Sequence, residues 1–309
     1  MNMPAIFYTG LKPLVRHAPG AIFIIALAQV PANGEPAQAV STVADRSHIE
    51  RPTLRDRFWI WTHAAGSYKG VFGLPDSRMT PVEGAVYLDV PNVLFIRFHE
   101  QPPMPFEPYA IAFRPFKRVV WSLVGASGQS SDEERKHVLD LAGRFPNIVG
   151  FVMDDFFHAD GPTGSLSVEQ LKELRSRLVI GGKKRDLYVV LYQHQLEFPV
   201  TQHLELCDKI TFWTWKAEDL GKLESSFQRL EKLAPRQGKL LGCYLWDFGT
   251  RKAMPLDSMK RQCELGRRWL KDGRIEGMIF LGSNVCDLEL ETVEWTRKWI
   301  AEVGSEPLR

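Results

Sequence analysis

Beyond residue 30 the sequence has no apolar run long enough to cross a bilayer, which takes about 20 residues, and nowhere does it carry a basic cluster. Its 39 lysines and arginines are nearly matched by 37 aspartates and glutamates, leaving a net charge of +2. That balance speaks against a polyanion-binding surface, so no nucleic-acid partner is expected. The four cysteines, Cys207, Cys243, Cys263 and Cys286, fit no zinc or Cys-x-x-Cys spacing and read as small buried apolar residues. No glycine-rich turn follows an apolar run, so no dinucleotide site is indicated. Ser67 lacks the turn that presents a nucleophilic serine. There is no internal repeat, no low-complexity segment and no compositional break that would mark a second globular domain.

The N-terminal segment is of another kind. Lys12, Arg16 and His17 precede the apolar stretch from Ala21 to Val30, and the small residues Ala37 and Ala39 follow. A basic region, a short apolar region and an A-x-A-like site are the layout of a secretory signal peptide. The expected division is a signal peptide over 1–39, a linker over 40–56, one catalytic domain over 57–303 and a tail over 304–309. The mature protein would be secreted or periplasmic, with no membrane-spanning segment.

From Arg57 onward, short apolar runs alternate with helical patterns. The strand candidates are 58–63, 92–98, 118–124, 147–155, 186–193, 208–215, 239–247 and 276–283. Most are apolar throughout and rich in β-branched and aromatic residues, as strands of a parallel sheet covered on both faces are. Ser131-x-x-Glu134 and Ser167-x-x-Gln170 are helix starts. Val168, Leu171, Leu174 and Leu178 recur at helical spacing, as do Leu220, Leu223, Phe227 and Leu230, then Met259, Cys263 and Leu270, and last Leu290, Val293 and Ile300. The two proline-containing connections before 118 give weaker helical signals. Eight strands alternating with helices over about 250 residues predict a single (β/α)8 TIM barrel, an α/β fold.

Such barrels carry their sites at the C-terminal strand ends. Those ends present His63, Arg97, Asp154 and Asp155, Tyr192, Gln193 and His194, Trp215, Tyr244, Trp246 and Asp247, and Asn284. Two carboxylates flanking a cleft are the apparatus of glycoside hydrolysis, and Asp154 or Asp155 on strand 4 with Asp247 on strand 7 is such a pair. One member of the Asp154–Asp155 pair is also a natural cap for the following helix, and neighbours on a strand point to opposite faces. Of nine tryptophans, six sit on the proposed strands. Trp59 and Trp121 read as core, whereas Trp215 and Trp246, close to their strand ends, read as sugar platforms beside Tyr192 and Tyr244. Arg97, Gln193, His63, His194 and Asn284 are then the groups that bind sugar hydroxyls, or a uronic acid carboxylate in the case of Arg97. The long loop after strand 1 adds Ser67, Tyr68, Lys69 and Glu83 as candidate contacts.

At the strand ends "GFVMDDFF" and "GCYLWDFG" the chain resembles a family of exported bacterial TIM-barrel proteins that are glycoside-hydrolase-like and have no assigned substrate. The resemblance spans Arg57 to the last helix. It implies carbohydrate chemistry without a cofactor. It departs from the commonest barrel glycosidase pattern, in which glutamates end strands 4 and 7. Three functions are therefore expected in order: a secreted glycosidase using paired aspartates; a metal-dependent sugar isomerase, epimerase or lyase built on the cluster of Asp154, Asp155 and His158; and a non-catalytic glycan-binding barrel.

Overall fold

The computed structural model describes residues 51–129, 131–158 and 164–308. The proposed signal peptide and most of the linker lie outside the described residues. Eight parallel strands close a barrel: β1 Phe58–Thr62, β2 Asn92–Phe95, β3 Arg118–Val124, β4 Ile148–Met153, β5 Asp186–Tyr192, β6 Lys209–Trp213, β7 Gly238–Tyr244 and β8 Gly277–Leu281. Each strand pairs in parallel with the next, and β8 pairs back onto β1, in register from Phe58 against Met278 to Trp61 against Leu281. All eight expected strands are present, and the (β/α)8 barrel is the observed fold.

The helices are α1 Pro81–Leu88, α2 Glu107–Ala112, α3 Asp132–Arg144, α4 Val168–Ser176, α5 Thr201–Leu204, α6 Leu223–Leu233, α7 Leu256–Lys271 and α8 Glu291–Val303. Ser131 accepts a hydrogen bond from the Glu134 N–H, and Ser167 and Gln170 close a full capping box. The weakly signalled α1 starts on an equally complete box, Thr80 with Glu83, followed by Pro81 with its pre-set φ. Glu83 is therefore spent on the helix start rather than on a ligand. No described helix is long and apolar enough to cross a membrane.

Inside the barrel the strands are buried on both faces, which is why their sequences do not alternate. A Cβ at Gly242 on β7 would lie 2.1 Å from the Trp213 ring, so only glycine lets that indole lie across the barrel. Trp59 and Trp121 are buried as expected. Outside the barrel, Phe227 of α6 stacks on Trp269 of α7 at 4.1 Å. The four cysteines are buried and unpaired. The ends of the domain meet: Leu54 N–H donates to Glu306 O and Leu308 N–H to Pro52 O, both at 2.9 Å.

Several strands stop short of their expected ends. β2 ends at Phe95, β6 at Trp213 and β7 at Tyr244, so Arg97, Trp215 and Trp246 lie beyond the sheet. Trp246–Asp247 pairs instead with Lys252–Ala253 in a small antiparallel hairpin above the barrel.

Candidate active site

β4 stops at Met153, yet the Asp154 N–H still donates to Val124 O of β3 at 2.9 Å. Asp155 then takes a left-handed conformation with φ of 43°, a region that aspartate enters more readily than most residues. On a continuing strand the two side chains would point apart. Because the chain turns here, both border one chamber at the top of the barrel.

Asp154 is 6% exposed, and its Oδ1 accepts from the Asp155 N–H at 2.9 Å. Burial, reinforced by the neighbouring Asp155 charge, pushes its carboxyl well above the usual range, the direction that keeps a proton on it. Asp155 is oriented through both oxygens: Oδ1 accepts from the Tyr192 hydroxyl at 2.7 Å and Oδ2 from the Ser127 N–H at 2.8 Å. The Tyr244 phenol lies within hydrogen-bonding reach of Tyr192. Burial raises both phenols far above their ordinary range, so they remain neutral hydroxyls.

Aromatic rings form the rest of the chamber. Trp61 and Trp213 meet edge to face at 5.2 Å beneath it. Tyr68, from the loop after β1, packs against Phe98 at 5.2 Å and Phe248 at 5.7 Å. Trp215, 36% exposed, stands edge-on to Tyr192 at 5.8 Å and Tyr244 at 5.9 Å. A Cβ at Gly249 would be 2.7 Å from Trp215 O, so the turn that presents this indole requires glycine. The chamber has a cavity volume of about 70 Å³ and leads past Asp155, Tyr192 and Trp215 to an outer cleft of about 470 Å³ bounded by Ser127, His158, His194 and Gln195.

The structure thus brings together Asp154, Asp155, Tyr192, His194, Trp215 and Tyr244. His194 stacks on Tyr192 at 5.6 Å. His63 also borders the chamber, but both of its ring nitrogens are used: Nε2 accepts from Trp61 Nε1–H at 3.2 Å and Nδ1 pairs with Ile96 O at 3.1 Å. Burial holds it down to about 3, so it is a neutral packing group rather than a reader of hydroxyls.

Five expected residues border neither the chamber nor the outer cleft. Asp247, the supposed partner across the cleft, spends its carboxylate on the Ala217 N–H at 3.3 Å and on the Thr250 N–H and hydroxyl at 3.2 and 2.7 Å. It ties the loops after β6 and β7, because the chain has already left β7 when it reaches that residue. Arg97 is ion-paired with the buried Glu134 of α3. Gln193 accepts from the Thr214 hydroxyl at 3.1 Å, and Trp246 donates to Phe72 O at 3.2 Å. Asn284 is buried, its Oδ1 accepting from the Ser283 hydroxyl at 2.9 Å. Of the loop candidates, Tyr68 enters the chamber, whereas Ser67 bonds to Ala64 O and Lys69 pairs with Asp76. Phe72, Phe98 and Phe248 are wall residues that the sequence does not distinguish from core.

A comparison with protein-family models finds no match, nor does one with curated proteins. Solved structures do match. A protein described as an α-L-fucosidase from Bacteroides thetaiotaomicron aligns with a TM-score of 0.55 at 12% identity, over 83% of this chain and 98% of its own. A β-D-glucuronidase from Dictyoglomus thermophilum aligns at 0.53 and 9% identity, over 84% of this chain and 52% of its own. A xylanase–α-amylase inhibitor protein, solved with trehalose, aligns at 0.52 and 15% identity, over 80% and 98%. The likeness is one of fold. It groups the chain with TIM barrels that include both glycoside hydrolases and a hydrolase-like inhibitor.

Among the described residues, no group of three or more histidines, cysteines, aspartates or glutamates is placed to hold a metal ion. His158 is exposed on the outer cleft, so the expected metal cluster of Asp154, Asp155 and His158 is not assembled there.

Proposed function

We propose that this barrel is a glycosidase whose working carboxyls are Asp154 and Asp155. The observation that carries the reading is that both sit at the end of β4 in one aromatic chamber, in different environments. Asp154, biased towards its protonated form, donates to the glycosidic oxygen as the bond to the anomeric carbon breaks. Asp155, fixed by Tyr192 and Ser127, meets the positive charge that develops on that carbon. Water supplies the hydroxyl that replaces the leaving group, and its remaining proton restores Asp154. Trp215, with Tyr192 and Tyr244, provides faces for the sugar ring. The N-terminal pattern adds export to the proposal, to be tested by finding the processed chain outside the cytoplasm of an expressing bacterium.

A panel of polysaccharides and aryl glycosides tests the chemistry. Asp154→Asn and Asp155→Asn should each lower kcat by about 100-fold or more. Asp247→Asn should keep kcat and lose about 1–3 kcal/mol of stability, since it leaves loop N–H groups unsatisfied. Cleavage that survives both substitutions on β4 would sink the reading. A second reading, a glycan-binding barrel without turnover, is favoured by one observation: Asp247, the expected carboxylate across the chamber from β4, is tied up elsewhere. Saturable sugar binding with no cleavage by the wild-type chain would select it.

A further inference from the structure

Resting on that carbohydrate site, we propose that the chamber takes a cationic sugar, one carrying a free amino group, with the ammonium held between the Asp155 carboxylate and the aromatic rings beside it. Three independent features support this.

The first is a missing counter-ion. Several partly or fully buried carboxylates have basic partners: Glu134 has Arg97, Asp208 has Arg175 and Lys184, and Glu306 has Arg267 and Lys271. Asp247, buried without one, is met by three loop donors instead. The Asp154–Asp155 pair has no basic partner. Among the described residues no lysine or arginine borders the chamber or the outer cleft; Arg97 and Lys69, the cations the sequence placed near them, are paired with Glu134 of α3 and with Asp76. Asp154 is biased towards its acid form, so the pair suits a single cationic group better than two. A uronic acid would meet the pair with no base to offset its own charge.

The second feature is the wall. Tyr192, Trp215, Tyr244 and Phe248 pack against one another along the chamber that Asp155 borders, and the Tyr192 hydroxyl touches Asp155 itself. Aromatic faces attract ammonium groups, and most strongly where water is excluded.

The third is Tyr68. It is 95% buried by its 5% exposure, borders the chamber and has no hydrogen-bond partner among the described residues. It sits close enough to Asp154 and Asp155 for their charges to act on it. Its oxygen is an unspent acceptor facing the same space, suited to an N–H of the bound ammonium. N-acetylation of the sugar would remove the charge, and with it the attraction to Asp155 and to the ring faces, leaving a single amide N–H for Tyr68.

The test uses the whole chain and the methyl glycosides of glucosamine, galactosamine and mannosamine. Each is compared with its N-acetylated and its neutral hydroxyl counterpart, by calorimetry and tryptophan fluorescence. The expected result is binding of at least one amino glycoside about tenfold or more tighter than either counterpart, a preference that shrinks at high salt. Asp155→Asn should abolish the preference and Tyr68→Phe should weaken it, in variants whose circular dichroism matches wild type. Neutral or acetylated glycosides binding equally well would overturn the proposal and leave the hydrolase reading standing. Tight binding of an amino glycoside whose aryl analogue is never cleaved would uphold the proposal and remove the hydrolase reading. Absence of binding by every glycoside would overturn it.

Discussion

Asp154 and His63 border one chamber, and the burial that chamber imposes holds both neutral by moving their titrations in opposite directions. For Asp154 the folded chain holds the proton more tightly than the unfolded chain. Its contribution is therefore fully present below the ordinary value of 3.8 and is lost as pH rises towards the raised folded value. Asp154→Asn should consequently melt above wild type at neutral pH, with the difference closing in acid, as thermal scans across pH would show. For His63 it is the unfolded chain that binds the proton more readily. Stability is kept above the ordinary 6.5 and falls as pH drops towards about 3, at up to about 1.4 kcal/mol per pH unit. His63→Phe should flatten that acid slope in urea titrations, and an unchanged slope would show that another group causes it. The sequence could place His63 at a strand end. It could not show that Ile96, just past the end of β2, uses its Nδ1, since that pairing exists only once the barrel closes.

The same limit operates on whole elements. The eight strands were legible because burial on both faces demands continuous apolar runs, whatever the neighbours are. Their ends were not, because a strand stops where its partner's hydrogen bonds stop. That shift of one to three residues carried Trp246, Asp247 and Arg97 out of the site. Asp154 and Asp155 stayed in it because the turn after Met153 comes early enough to aim both inward. The loop after β1 was legible only as a long polar segment, yet it delivers Tyr68 and Phe72 to the chamber. It is held by the Trp246 indole on Phe72 O and by Ser77, whose hydroxyl donates to Asp287 at 2.6 Å. Trp246→Phe removes the first tie, worth about 0.5–1.5 kcal/mol. Hydrogen exchange should then speed up across 66–74 while the strands are unchanged, and KM should rise more than kcat falls. An unaltered exchange pattern would mean that packing alone holds the loop.

Over the whole molecule, one continuous core reaches from Leu54 to Val303, and the four thiols lie inside it. Burial pushes the Cys207 and Cys286 thiols far above their ordinary range, which removes the thiolate that disulfide reagents need. A thiol-titrating dye should find no fast-reacting group in the native protein and four after denaturation. One fast native thiol would show that the barrel opens locally around it.

The clasp between Pro52 and Leu308 lies below the strands, at the end of the barrel remote from Asp154 and Asp155. The barrel is thus a ring of staves whose first and last are already fastened, and where the chain begins is incidental to its shape. A short peptide splicing 52 to 308 would make the polypeptide circular. It could then be cut at the exposed Gly181–Gly182 turn, where nothing packs against either glycine, to yield a reordered gene product with the same chamber.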